Sequence, residues 1–238
     1  MLKIKNLSKN YEVSYGTINV LDDINLEVTN GDFVMIMGES GSGKSTFINC
    51  ISTLLKPSSG NIFLNDKDIS TLKNKDLEKL RLHEISYIFQ ENYMVDGLTI
   101  LENIIVARLQ YDENAKDKAI ALLDKLNISN IKDKYPHQVS GGERQRAAIA
   151  RALINDPKIL FADEPTASLN PKTAEILMLE LQKLNDEGFT IIMVTHSISV
   201  ASFGKRLLVL SDKQFKVDMK IPVENKHDFI VDTVGPYL

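Results

Sequence analysis

Short apolar runs alternate with longer amphipathic stretches along this chain. The five consecutive apolar residues at 33–37 are typical of a strand buried on both faces. Clustered or alternating apolar residues predict further strands at 2–5, 24–28, 60–64, 85–89, 159–162, 190–194 and 206–210. Helical spacing predicts helices at 45–54, 100–109, 116–126, 143–153 and 173–187. This order favours an α/β fold with a mostly parallel sheet covered by helices.

The middle of the chain differs from the rest because helical spacing dominates it. We therefore predict a small helical subdomain at about 91–138, inserted into an α/β core that otherwise makes residues 1–238 a single domain. No repeat or low-complexity linker divides the chain. From residue 218 onward the signals are mixed, and the pattern predicts no element there.

Composition narrows the class of protein. The chain has 238 residues, of which 43% are hydrophobic and 25% charged, with a formal net charge of −4. Nothing in this balance favours a nucleic-acid partner, which usually requires a basic patch. Cys50 is the single cysteine, so no internal disulfide forms. The first residues lack the apolar core of a signal peptide, and no apolar run reaches the roughly 18 residues of a membrane span. These features predict a cytosolic enzyme.

A phosphate-binding loop follows the apolar strand at 33–37. The segment 38–45 matches G-x-x-x-x-G-K-[ST] at every fixed position and leads into a predicted helix. Its glycines allow backbone N–H groups to face phosphate oxygens, Lys44 reaches the β- and γ-phosphates, and the Ser45 hydroxyl ligates Mg²⁺. Candidate nucleotide-binding residues are Gly38, Ser40, Gly41, Ser42, Gly43, Lys44, Ser45 and Thr46, the last on the α-phosphate side.

Two carboxylates end the predicted strand at 159–162. In this position Asp163 is a candidate for holding Mg²⁺ through water, and Glu164 for polarising an attacking water as general base. Taken alone, the pair also fits a strand that runs into an exposed turn. The glycine motif that precedes it, Ser-Gly-Gly-Glu-Arg-Gln-Arg at 140–146, favours the catalytic interpretation.

The phosphate loop, the motif at 140–146 and the acidic pair together resemble the ATP-binding subunits of ABC transporters over nearly the whole chain. The resemblance implies a P-loop NTPase core with a mostly parallel sheet, an antiparallel β subdomain at the N-terminus and the inserted helical subdomain. It also implies that two copies sandwich ATP and Mg²⁺, so that Ser140, Gly141 and Gly142 of one copy bind the nucleotide held by the other. Ser140 also suits a helix N-cap, and the two roles are compatible.

The same resemblance suggests three further site residues. Gln90 would sense Mg²⁺ and the attacking water and link to the helical subdomain, and His196 would contact the γ-phosphate as a switch. Tyr11 would stack on adenine, although Tyr15 is close enough to compete. One position departs from the family, because Asn170 stands where an aspartate is usual. The change removes a charge but keeps the size and hydrogen bonding, so we expect a working ATPase with altered turnover or coupling.

Partners and location also come from the resemblance. It implies a permease that holds the chain on the cytoplasmic face of the membrane, docked at a groove around 90–101 whose apolar residues equally suit the subdomain core. The segments 11–20, 38–46 and 140–146 look most like the lipoprotein-release, macrolide-export and antimicrobial-peptide-resistance branch. Export of a peptide, lipid, lipoprotein or drug is therefore expected. The alternatives are an amino-acid-type importer, or a regulatory ATPase that signals to a membrane sensor or cell-wall hydrolase.

Overall fold

The computed structural model describes residues 1–14, 16–108 and 114–237. The strands are β1 Leu2–Val13, β2 Gly16–Val28, β3 Phe33–Met37, β4 Ser59–Leu64, β5 Lys67–Asp68, β6 Ile85–Ile88, β7 Ile159–Asp163, β8 Thr190–Val194, β9 Arg206–Ser211 and β10 Gln214–Lys220. The helices are α1 Lys44–Ile51, α2 Asn74–His83, α3 Ile100–Ile105, α4 Ala115–Lys125, α5 Gly141–Leu153, α6 Pro171–Asp186, α7 Ile198–Ala201 and α8 Lys226–Val234. Short 3₁₀ turns occupy Ser129–Ile131, Pro136–Gln138 and Gly235–Tyr237.

A six-stranded sheet forms the centre of the fold, in the order β10-β9-β3-β8-β7-β6. Its strands from β9 to β6 pair in parallel, and β10 adds an antiparallel edge. Side chains of β3 alternate between two apolar clusters, one on each face of the sheet. The sheet is therefore covered on both faces, as a parallel sheet requires. The predicted α/β class with a mostly parallel sheet is confirmed.

A second sheet of four strands lies in the N-terminal part of the chain, in the order β2-β1-β4-β5, with antiparallel pairing throughout. It packs with α1 and one face of the central sheet. The predicted antiparallel subdomain is thus present, but the strands predicted at 2–5 and 24–28 were too short. Asn6 and Asp23 have positive φ values of 51° and 49°, near shifts of register between β1 and β2. These irregularities break the alternation by which the full strands would be recognised.

The middle segment carries α3, α4 and two of the 3₁₀ turns, which share one apolar cluster with α5 and α6. The helix predicted at 100–109 ends earlier, at Ile105, and position 109 lies outside the described residues. Apart from this helix and the first two strands, the predicted elements agree with the structure to within three residues at each end. The division of the chain into one domain with an inserted helical subdomain stays a prediction.

The C-terminal residues form two elements that the sequence pattern did not predict. Strand β10 pairs with β9, and α8 packs near α7 through Ile230 and Val234, both fully buried. Within the described part of the chain, no helix combines the length and the apolar character that crossing a membrane requires.

Candidate active site

The parallel strands align their carboxyl ends at one edge of the sheet. The register pairs Ile36 with Val194, Val194 with Asp163, and Ala162 with Ile88. The residues that follow these strands therefore meet at this edge, which is where open α/β sheets bind ligands. They include the phosphate loop after β3, the acidic pair of β7, Gln90 after β6 and His196 after β8.

The phosphate loop joins β3 to α1 through backbone conformations that require glycine. Gly38 has a φ of 144°, and a Cβ atom there would stand 2.2 Å from the carbonyl oxygen of Leu210. Gly43, the residue before α1, has a φ of 102°, and a Cβ atom there would stand 2.9 Å from Cγ1 of Val20. Any other residue at these positions would strain the backbone and clash. The loop can therefore bring its N–H groups and the helix N-terminus to an anion.

The ammonium group of Lys44 is held close to this loop. Its Nζ donates to the carbonyl oxygens of Gly38 and Glu39, at 2.8 and 2.7 Å. The residue is only 7% exposed. Burial lowers the pKa of Lys44, and the nearby carboxylates of Glu164 and Asp163 partly offset that shift. The loop thus holds the ammonium group of Lys44 close to the start of α1.

Asp163 connects the acidic strand end to the phosphate loop. The hydroxyl of Ser45 donates to its Oδ1 at 3.2 Å, and the Tyr87 hydroxyl lies 3.5 Å from Oδ2. Burial raises the pKa of Asp163, while the Ser45 hydrogen bond acts in the opposite direction. These oxygen donors are the type that Mg²⁺ prefers, and such sites complete the ion's shell with phosphate oxygens and water. The described residues hold no cluster of three His, Cys, Asp or Glu side chains able to bind a metal by themselves.

Glu164 and His196 form a pair beside the loop. Nδ1 of His196 lies 2.9 Å from Oε2 of Glu164. Glu164 has a φ of 45°, a left-handed conformation that is uncommon outside glycine, and its N–H donates to Val194 O at 3.0 Å. Strained residues of this kind cluster at functional sites. Gln90 lies at the same sheet edge, and its side chain is exposed.

The phosphate loop, Glu164 and His196 surround a cavity of about 410 Å³, whose lining does not include Asp163 or Gln90. It is lined by Val20, Ser40, Gly41, Gly43, Lys44, Ser45, Thr46, Glu164 and His196. Val20 was not identified as a site residue from the sequence, because a valine on a strand has no chemical group that indicates nucleotide binding. Tyr11 lies on β1 outside this lining, 38% exposed, with the Lys9 ammonium 5.0 Å from its ring centre. Its stacking on adenine stays a prediction, and the competing Tyr15 lies outside the described residues.

The motif at 140–146 lies at a separate surface, where it begins α5. Ser140 is the N-cap, accepting a hydrogen bond from the N–H of Glu143 at 3.3 Å, while the Glu143 carboxylate accepts from the Ser140 N–H at 2.8 Å. This capping box lowers the pKa of Glu143. Gly142 is required because a Cβ atom there would stand 2.3 Å from Cγ2 of Thr173 on α6.

A second cavity, of about 340 Å³, opens over this helix start. It is lined by Ser140, Gly141, Gly142, Glu143, Arg146, Ser168, Leu169, Asn170, Thr173 and Ile176. Asn170 caps α6, because its Oδ1 accepts from both the N–H and the hydroxyl of Thr173, at 3.0 and 3.1 Å. The phosphate-loop cavity and this cavity share no lining residue. Within one chain, the structure therefore does not bring Ser140, Gly141 and Gly142 to the phosphate loop.

A family model described as ABC transporter matches residues 21–167 of this chain. The chain belongs to the ABC transporter family. It is an ATP-binding subunit of that family and an ATP hydrolase. The matched range begins on β2 and ends just beyond the acidic pair, so it includes both the phosphate loop and the motif at 140–146.

Curated ABC proteins resemble the chain over most of its length. It is 38% identical to the uncharacterized ABC transporter ATP-binding protein MJ0796 of Methanocaldococcus jannaschii, over 93% of this chain and 97% of that protein. It is 39% identical to the bacitracin export ATP-binding protein BceA of Halalkalibacterium halodurans, over 98% of this chain and 93% of that protein. The macrolide export ATP-binding/permease protein MacB of Bdellovibrio bacteriovorus is 38% identical over 93% of this chain, which covers 34% of MacB.

Solved ABC cassettes share the fold. A dimeric, post-hydrolysis structure of MJ0796 bound to ADP and Pi superposes with a TM-score of 0.86 at 38% identity, covering 93% of this chain and 99% of that one. CbiO1 from Clostridium perfringens, part of the ABC transporter complex cbiONQ, gives a TM-score of 0.83 at 29% identity, covering 100% and 95%. The predicted P-loop NTPase architecture is therefore confirmed.

Proposed function

We propose that this ABC ATPase powers the export of a peptide, lipid, lipoprotein or drug, as one of two copies that drive a membrane permease. The observation that carries the proposal is the separation of the phosphate-loop cavity from the cavity at the start of α5. Each surface is half of a nucleotide site, and a second copy placed head to tail supplies the other half. The dimeric MJ0796 structure and the export functions named for BceA and MacB support this interpretation.

Nucleotide binding follows from the fixed positions of the loop. The N–H groups of the loop and of the first turn of α1 face the phosphates, and Lys44 needs only to leave two carbonyl oxygens to pair with them. Ser45 and Asp163 present hard oxygens 3.2 Å apart, a donor set that fits Mg²⁺. When bound, that ion neutralises charge on the β- and γ-phosphates. Its positive charge also offsets the cost of the buried Asp163 carboxylate.

Glu164 is the proposed general base for the attacking water. The contact with His196 at 2.9 Å orients its carboxylate beside the phosphate loop. Nδ1 of His196 donates to the Glu164 carboxylate, and a contact of Nε2 with a γ-phosphate oxygen would require a proton on Nε2 as well. Gln90, at the end of the neighbouring strand, completes the water-facing edge. These three residues form the proposed hydrolytic centre.

The partner copy contributes Ser140, Gly141 and Gly142. The first two helical positions of α5, Gly141 and Gly142, carry no side chain, so the helix N-terminus, with its partial positive charge, can approach the γ-phosphate closely. Neither cavity is sufficient alone, so ATP closes the two copies together and phosphate release separates them. A site divided between subunits links the reaction to a large movement.

The permease is proposed to dock on the segment 91–99, which we call the docking segment. Its side chains Tyr93 and Val95 are 62% and 52% exposed and lie two residues apart, so both are accessible to a partner. The helix that follows it is buried, because Ile100 and Ile104 of α3 lie in the core. Both interpretations of the apolar residues at 90–101 therefore apply, each to different residues. The exposed side chains are available to a permease, whereas those of α3 belong to the core.

Light scattering tests the proposed dimer. We expect Glu164→Gln to bind ATP–Mg²⁺ and shift from monomer to dimer, because ATP persists when the general base is removed. The matched control adds Ser140→Arg, which places a large cation at the start of α5 and should abolish the shift without preventing ATP binding. A Ser140→Arg chain with Glu164 intact that binds ATP, stays monomeric and hydrolyses it at the wild-type rate would contradict the shared site.

A further inference from the structure

A half-buried arginine, Arg151, holds the docking segment to α5. Arg151, in the last turn of α5, donates from Nη2 to the carbonyl oxygen of Asn92 at 2.6 Å and from Nη1 to that of Tyr93 at 2.7 Å. Met94 Sδ lies 3.9 Å from the same Nη1. Both carbonyls bind to one planar guanidinium, so two consecutive residues of the segment are fixed in direction as well as in position.

A second side chain holds the rest of the segment. Asn103 on α3 is fully buried, and its Oδ1 accepts from the N–H of Val95 at 2.7 Å. Its Nδ2 donates to three carbonyl oxygens at 3.0–3.1 Å, those of Val95, Leu98 and Thr99. Residues 95–99 are therefore hydrogen-bonded to α3, whereas residues 92 and 93 are hydrogen-bonded to α5.

The backbone of the docking segment is fixed while its side chains face outward. Tyr93 has a φ of 43°, which costs free energy for a residue with a bulky side chain. The Arg151 hydrogen bond to its carbonyl stabilises that conformation. Its ring packs at 88° against Phe89, one residue before Gln90, with 5.1 Å between the ring centres. The segment therefore presents a surface whose shape is determined before any partner arrives.

The two ends of α5 lie at the two places that the proposed motor must connect. Ser140 caps its first turn, and Arg151 lies eleven residues later, which corresponds to roughly 16 Å of helix. Residues 147–150 between them are buried, so α5 moves as a rigid element packed in the core.

We propose that Arg151 is a positioning residue that couples the nucleotide-binding start of α5 to the docking segment. This rests on the proposed function, because it uses the ATP-driven dimer. When the start of α5 engages ATP held by a second copy, α5 shifts and carries Asn92 and Tyr93 with it. In reverse, a partner that displaces the docking segment changes the approach of Ser140 to the nucleotide.

Fluorescence provides the test, because the chain has no tryptophan. The parent carries Tyr93→Trp as a reporter and Glu164→Gln to retain ATP. We expect ATP–Mg²⁺ to change the reporter's emission as the dimer forms. Adding Arg151→Met should abolish that change and lower the reporter's anisotropy without nucleotide, while light scattering still shows the dimer. Arg81→Met is the matched control, since Arg81 is also a half-buried arginine on a helix but donates instead to Thr53 O at 3.3 Å.

Every outcome of this test either supports the proposed coupling or overturns it. An Arg151→Met chain that keeps the ATP-dependent emission change, or the parent's anisotropy, overturns the coupling. So does a parent that dimerises with ATP without any change at the reporter. A parent that never dimerises contradicts the proposed function instead, and the nucleotide-free anisotropy still tests the attachment. If Arg151→Met does not fold, Arg151→Lys replaces it, and we expect an intermediate anisotropy because a single nitrogen replaces the two-pronged donor.

Discussion

The close contact between α5 and α6 at Gly142 allows a quantitative prediction. A Cβ atom at Gly142 would stand 2.3 Å from Thr173 Cγ2, well inside normal contact, while Thr173 Cβ lies at 3.7 Å, an ordinary distance. The threonine cannot rotate freely, because its N–H and hydroxyl both donate to Asn170. Gly142→Ala should therefore lower the free energy of unfolding by about 1–3 kcal/mol, as overpacking usually does.

Thr173→Ser removes only the clashing methyl group and keeps the hydroxyl that bonds to Asn170. The double variant Gly142→Ala/Thr173→Ser should therefore be about as stable as Thr173→Ser alone, which corresponds to a coupling energy of about 1–3 kcal/mol. Urea unfolding followed by circular dichroism measures all four free energies. Additive losses in the double variant would refute the reasoning, since they would show that the cost at Gly142 does not come from Thr173.

Three further outcomes are expected. Asp163→Asn should raise the melting temperature, and more at pH 8 than at pH 5, because the raised pKa of Asp163 means that its charged form opposes folding as the pH rises. Asn170→Ala should cost about 1 kcal/mol in urea unfolding and Asn170→Asp almost nothing, since aspartate also caps α6. Burial raises the pKa of Cys50 to about 11, so the folded chain should resist maleimide labelling at pH 8 and react only after unfolding.

The site residues at the carboxyl edge of the central sheet could be predicted from the sequence, because each is marked by a short local motif. The strand at 33–37 is continuously apolar, and the loop after it has glycine at the positions where the structure has positive φ, Gly38, Gly41 and Gly43. The acidic pair and His196 each follow an apolar run that forms a buried strand. Parallel strands with aligned ends then bring these residues together without further information.

The missed elements depend on longer-range pairing. Strand β10 alternates Phe215, Val217 and Met219 with polar residues, a weak signal that becomes a strand because β9 offers an unpaired edge. Helix α8 is short, and although it carries four apolar residues, the burial of Ile230 and Val234 depends on the neighbouring core. Neither neighbour can be identified from the local sequence.

Contacts of the docking segment were also beyond sequence reasoning. Arg151 looks like an ordinary charged residue on a helix that carries two further arginines, and nothing local indicates that it binds the carbonyl oxygens of Asn92 and Tyr93. The two partners are nearly sixty residues apart in the chain. The fold alone brings them together, and the same is true of Gly142 and Thr173.

Mixing two inactive variants tests the shared nucleotide site most directly. Lys44→Ala disables the phosphate loop and Ser140→Arg disables the start of α5, so neither homodimer has an intact site. In an equal mixture, about half of the dimers contain one copy of each variant, and each of these mixed dimers has one intact site out of two. We therefore expect about a quarter of the wild-type rate of phosphate release. A mixture no more active than the separate variants would contradict a site built from two copies.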